Sequence, residues 1–108
     1  MKKNFLKKIH TCAFEGRIRF KKHALIRMVE RNLKISEIEE ALLRSKIIED
    51  YPEDTPLKSC LLLGYTHHNR PLHMVTAVDE AENMIWIITV YKPDPKKWNR
   101  TFTKRKPS

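Results

Sequence analysis

The chain predicts an α+β domain, with helices in its first half packed on an antiparallel sheet built from its second half. Three observations carry this expectation. Apolar residues recur at three- and four-residue steps as far as about Ser45, and in alternating or continuous runs after it. Breakers cluster where the period changes, at Tyr51-Pro52-Glu53-Asp54-Thr55-Pro56. The composition, 41% hydrophobic and 32% charged with 2 Gly and 6 Pro in 108 residues, is that of an ordered globular protein. A chain of this length supports one domain and one core. Residues 1–98 are expected to form it, with 99–108 a basic tail; the C-terminal stretch, with Trp98 and Phe102 spaced among bases, either docks by those aromatics or stays mobile.

The first helix is expected over Lys3 to Glu15, where Phe5, Leu6, Ile9, Cys12 and Ala13 make an apolar stripe and Gly16 caps the end. Arg17 to Phe20 alternates basic and apolar and reads as a short edge strand or an extended link. A second helix runs from about Lys22 to Arg31, burying Ala24, Leu25, Met28 and Val29 and stopped by Asn32. The third is announced by Ser36 and Glu39 as a capping box and by Ile38, Ala41 and Leu42, and ends near Ser45. Ile47-Ile48 then opens the β half. Ser59 to Thr66, Arg70 to Val78 and Met84 to Tyr91 are three strands joined by links of hairpin length, so a four-stranded antiparallel meander is expected, with Arg17 to Phe20 open as a fifth strand. Met84-Ile85-Trp86-Ile87-Ile88 is apolar on both faces, which places that strand in the sheet centre.

No apolar run reaches the ~18 residues of a membrane span, and lysines interrupt the start of the chain too often for a signal peptide. A cytoplasmic protein that makes no membrane contact is therefore expected. Cys12 and Cys60 lie far apart without a C-x-x-C spacing, so buried free thiols are expected in place of a disulfide or zinc framework.

The net charge of +9 is segregated along the chain. Residues 1–35 carry eleven Lys and Arg against Glu15 and Glu30; residues 36–91 carry four against ten carboxylates; residues 92–108 carry seven against Asp94. Basic ends around an acidic middle build a one-sided field that suits a polyanion such as RNA.

On the second helix His23, Arg27, Glu30, Arg31 and Lys34 form a polar stripe beside the apolar one. Cleaving RNA without a metal needs a base for the 2′-hydroxyl, an acid for the leaving oxygen and cations on the phosphorane; His and Arg supply these near neutral pH. For one helix alone, a bland arrangement in which the arginines pair with carboxylates is the commoner outcome. The period of two puts His73 opposite Leu72 and Met74, and puts Thr89 and Tyr91 on one face where the last apolar run stops. Each of these taken singly is more often a structural residue; the functional reading rests on their convergence. His67-His68 is weak as a metal pair, because adjacent histidines on an extended segment point apart and no acidic third ligand has matching spacing. No metal and no cofactor are expected.

The segments Phe20-x-x-His23-Ala24-x-x-Arg27-Met28-x-Glu30-Arg31, Leu63-Gly64, Arg70-Pro71-Leu72-His73 and Ile88-Thr89-x-Tyr91-x-Pro93-Asp94-Pro95 resemble a bacterial domain of unknown function grouped with RelE-like toxins. The order of helices and then a meander also resembles the MqsR and BrnT toxins, small ribonucleases of toxin–antitoxin pairs with a RelE- or barnase-like architecture. The resemblance implies metal-free cleavage of messenger RNA, alone or on the ribosome, and a cognate antitoxin, here of the MqsA or YgiT zinc-finger kind. Carried to this chain, it singles out His23, Arg27, Arg31, His73, Thr89 and Tyr91. Tyr91 stands where a BrnT-like ending has a basic residue, so that active site is not copied directly.

Two functions are thus expected to compete. The first is an endoribonuclease toxin in which His23 or His73 handles the proton, Arg27 is catalytic with Arg31 beside it on the scissile phosphate, and Tyr91 positions the nucleotide. Lys34, Arg70, Thr89 and Lys92 would join Arg31 in binding the RNA. The second is a non-catalytic module that uses the same basic surfaces to hold RNA or an acidic partner.

Overall fold

The computed structural model describes residues 2–107; Met1 of the expected domain and Ser108 of the expected tail lie outside the described residues. The elements run α1 (Lys2–Phe14), β1 (Ile18–Phe20), α2 (Lys22–Glu30), α3 (Ile35–Leu43), β2 (Lys46–Tyr51), β3 (Ser59–Tyr65), β4 (Pro71–Asp79) and β5 (Met84–Tyr91). The α+β class is as the sequence predicts. The strands form one sheet in the order β1-β5-β4-β3-β2. β2 to β5 make the antiparallel meander. β1 is the fifth strand, and it is parallel: Ile18 lies opposite Ile85 and Phe20 opposite Ile87. The sheet is therefore mixed, where an all-antiparallel one was expected, because alternation within three residues marks faces and says nothing of direction. Ladder bonds fix the pairing, Ile85 N–H to Arg17 O at 3.1 Å and Lys21 N–H to Ile87 O at 2.9 Å.

Helix ends follow from local chemistry. Gly16 takes the left-handed conformation at φ 74°, and Arg17 N–H bonds Cys12 O at 2.8 Å while Gly16 N–H bonds Ala13 O at 3.3 Å, closing α1 in a Schellman turn. Asn32 at φ 55° does the same for α2, with Leu33 N–H on Met28 O at 2.8 Å. The start of α3 differs from the expected Ser36–Glu39 box: the helix begins at Ile35, and the Glu37 carboxylate accepts from the backbone N–H of Lys34 at 3.0 Å. Two overlapping spacings offer a carboxylate three residues on, and the earlier one is used.

All three helices cover one face of the sheet. Ile9, Met28, Ile38 and Leu42 meet Leu62, Leu72, Met74, Ile85, Ile87 and Val90 in the main core. Leu25 and Val29, expected inside, are 42% and 82% exposed, because α2 packs through Ala24 and Met28 alone. α3 lies so close to β3 that a Cβ at Gly64 would stand 2.1 Å from Ala41 O, which is why that strand position holds glycine. Cys12 and Cys60 are buried free thiols as expected, and burial pushes the Cys60 thiol up to about 12.

Leu61, Leu63 and His73 alternate with the core residues and so point to the opposite face, yet they too are buried. Residues 97–106 double back over this face around His73. Asn99 N–H bonds Lys104 O at 2.9 Å, Lys106 N–H bonds Lys97 O at 2.9 Å, and Trp98 bridges Arg105. The Asn99 side chain ties the turn by accepting from Thr103 N–H at 2.9 Å. The edge of Trp98 meets the His73 ring at 4.4 Å, and Arg105 reaches β2 to clasp Glu49. No helix among the described residues is long and apolar enough to cross a membrane.

Candidate functional site

α2 leaves the end of β1 and packs on β5, with Ala24 and Met28 turned inward. His23 and Arg27 of α2, with Arg31 at its C-cap, fall at i, i+4 and i+8 and form the flank beside that buried pair. Where β5 ends, Val90 enters the helix-side core, while Thr89 and Tyr91 point to the other side. The chain then turns at Pro93 and returns through Lys97, Trp98 and Arg105. Between the helix flank, the strand end and the returning segment lies a cavity of about 460 Å³, lined by His23, Arg27, Arg31, Thr89, Val90, Tyr91, Lys92, Asp94, Lys97, Trp98 and Arg105.

Its charge is one-sided. Among the described residues, Arg27, Arg31, Lys92, Lys97 and Arg105 line it beside a single carboxylate, Asp94. Arg27 Nε donates to His23 Nε2 across a long 3.4 Å, and its Nη1 stands 3.5 Å from the exposed Glu30. Both contacts are weak, so the guanidinium remains available to a stronger anion. With Nε2 accepting, the neutral His23 ring carries its proton on Nδ1.

His73 lies behind this cavity and does not line it; its exposure is 0%. Its Nε2 is 2.9 Å from Phe102 O, which can only accept, so Nε2 holds the proton and donates. Nδ1 of the neutral ring then accepts from the Tyr91 hydroxyl at 3.1 Å. Burial depresses the His73 pKa, against the opposing pull of the Phe102 carbonyl and of the Glu49 charge, and so favours that neutral ring. Burial also raises the Tyr91 pKa and keeps the phenol protonated. Since Tyr91 spends its proton on His73, its oxygen lone pairs are what it offers the cavity.

A chain of contacts anchors this pair to the far edge of the sheet. Arg105 forks onto Glu49 at 2.9 and 3.1 Å and lies 4.8 Å over the Trp98 ring, which in turn meets His73. The Arg105 bonds, with help from the Tyr51 hydroxyl at 2.5 Å, hold the Glu49 carboxyl below its usual range. Burial first, then the bond to Glu49, pushes Tyr51 up to about 12.

Of the nine residues singled out by sequence, His23, Arg27, Arg31, Thr89, Tyr91 and Lys92 come together on the cavity wall, and His73 supports Tyr91 from behind. Lys34 starts α3, and Arg70 sits exposed in the β3–β4 hairpin; neither lines the cavity. Sequence reasoning missed Asp94, Lys97, Trp98 and Arg105. Their only signal was an aromatic set among bases after the last strand, and no periodicity says where such a segment returns. The His67 and His68 rings meet edge to face at 5.4 Å, and among the described residues no group of three or more His, Cys, Asp or Glu is placed to hold a metal ion.

A family model described as a domain of unknown function (DUF4258) matches residues 20–92, well over half of the chain. That span contains His23, Arg27 and Arg31 of the cavity and its β5 wall, and it stops before the returning segment. Comparison with the curated proteins and with the solved structures gave no match.

Proposed function

We propose, from the premise that the chain belongs to the DUF4258 family, that it is a metal-independent endoribonuclease toxin acting on messenger RNA. The observation that carries the reading is the meeting of the α2 His/Arg flank with the hydroxyl-bearing end of β5 in one cationic cavity. RNA brings its own nucleophile, so the protein need only accept one proton, neutralise a phosphorane and hold the nucleotide. His23 takes the proton of the 2′-hydroxyl, O2′ attacks the adjacent phosphorus, and the P–O5′ bond breaks with the 5′-oxygen protonated from water. Arg27 and Arg31 hold the non-bridging oxygens. Tyr91, fixed by His73, accepts a hydrogen bond from the nucleotide, and Thr89 and Lys92 line the path of the strand.

The RNA is bound alone or on a ribosome, in the cytoplasm. A cognate antitoxin of the zinc-finger MqsA or YgiT kind would silence the enzyme by placing acidic side chains over the cavity's cations. The test is cleavage of a defined single-stranded RNA in EDTA by the wild type, His23→Ala and Tyr91→Phe. Cleavage by the wild type and a loss of at least about 100-fold in His23→Ala are expected, the usual range for removing an acid–base group. Salt-sensitive binding with no product, even at stoichiometric protein, would replace the enzyme by a binding module.

A further inference from the structure

β1 and β5 run side by side with Arg19 opposite Trp86. Ile18 and Phe20 pack toward the helix-side core, as do Ile85 and Ile87. Arg19, Lys21 and Trp86 are therefore turned together to the opposite face of the sheet. There the Lys21 ammonium sits 4.4 Å from the Trp86 ring centroid and the Arg19 guanidinium 5.8 Å from it. Both cations are exposed and the indole is partly so. β1 is only three residues long and is the sheet edge, so nothing lies beyond it in the sheet.

The same face leads into the cavity. The register shift opposite Val75 and Thr76 skips Ile88 and so brings Thr89 and Tyr91 onto the face of Trp86, and five residues of strand span about 16 Å. His23 comes two residues after Lys21, so the chain passes directly from Arg19 and Lys21 to His23 and Arg27 of the cavity wall. An aromatic face bracketed by two flexible cations is the chemistry that takes a nucleobase on the ring and its phosphates on the flanking charges. Lys21 covers the ring through its mobile end, and a stacked base would move it sideways onto a phosphate.

We infer that Trp86, with Arg19 and Lys21, is a nucleobase-stacking subsite that holds the single-stranded RNA a few nucleotides from the phosphate in the cavity. This rests on the ribonuclease reading for the identity of the ligand. The subsite sets affinity and substrate length, and takes no part in the bond-breaking step.

The experiment measures binding of a short single-stranded 2′-O-methyl RNA, which lacks the attacking hydroxyl, and cleavage of a long RNA and of a dinucleotide. The proteins are the wild type, Trp86→Leu, Trp86→Phe and Arg19→Ala/Lys21→Ala, each shown by thermal unfolding to be folded. Trp86→Leu is expected to weaken binding about tenfold or more, as loss of one base–aromatic stack does, and to raise KM for the long RNA alone. Trp86→Phe should recover most of the affinity, and the double variant should flatten the salt dependence. Unchanged oligonucleotide affinity in Trp86→Leu would overturn the subsite while leaving the cavity's chemistry standing. Weakened binding in a protein that cleaves nothing would keep the subsite and remove the nuclease.

Discussion

Replacing His73 by Phe keeps an aromatic ring against Trp98 and removes both hydrogen bonds of the imidazole. In the native protein Nε2 donates to Phe102 O at 2.9 Å and Nδ1 accepts from Tyr91 at 3.1 Å. Left facing an apolar edge, the Phe102 carbonyl costs about 1–3 kcal/mol. Tyr91 is only partly buried and regains much of its bond from water. The sum is about 2 kcal/mol, or roughly 8–16 °C in Tm for a domain of this size. Thermal unfolding of the two proteins above neutral pH measures it. The same pair of proteins carries a pH signature. The folded-state pKa of His73 is depressed below its ordinary 6.5, so as pH falls the unfolded chain takes up the proton first. The native contribution is therefore complete above about 6.5 and is lost as pH falls toward the folded pKa, with a slope of at most about 1.4 kcal/mol per pH unit. His73→Phe lacks this component, and the other histidines cancel in the difference. A variant that melts with the wild type and keeps its pH slope would refute the account of how Tyr91 is held.

Gly64→Ala should destabilise by about 1–3 kcal/mol in denaturant unfolding, because the added Cβ meets the fixed Ala41 carbonyl before it meets the yielding end of Met74. Glu49→Gln should cost about 0.5–1 kcal/mol and speed amide exchange in residues 97–106, since Arg105 loses its charged partner at a half-open site. Because the Glu49 pKa is lowered from 4.5, the wild type should also lose that stabilisation as pH falls below about 4.5, and the variant should not. Arg27→Ala and Arg31→Ala should each weaken binding of single-stranded RNA and reduce the slope of log K against log salt by about 0.7, the share of one phosphate contact.

The elements were legible in the sequence because each had its own local signal. Gly16 and Asn32 marked the helix ends, and the Asp79–Asn83 link separated two apolar runs of strand length. The α2 half of the cavity was legible for the same reason, since i, i+4, i+8 fixes a face before any tertiary contact forms. Three things were not. The parallel direction of β1 depends on which free edge the strand finds, and its partner β5 lies far along the chain, in a register that pairs Phe20 with Ile87 and that no local pattern encodes.

 The burial of His73 was hidden because its cover comes from Trp98 and Phe102, in a segment with no period to read. The exposure of Leu25 and Val29 was hidden because the apolar stripe of α2 is wider than the surface it packs on.

The measurement that tests the central claim most directly is cleavage, in EDTA, of a single-stranded RNA beside the same RNA carrying one 2′-deoxy nucleotide at the cut position. If the cavity runs a metal-free transesterification, the all-ribose RNA is cut to a 2′,3′-cyclic phosphate end, the deoxy position is spared, and His23→Ala cuts neither. Cutting at the deoxy position, or activity that vanishes with the divalent cations and returns with them, would contradict the account.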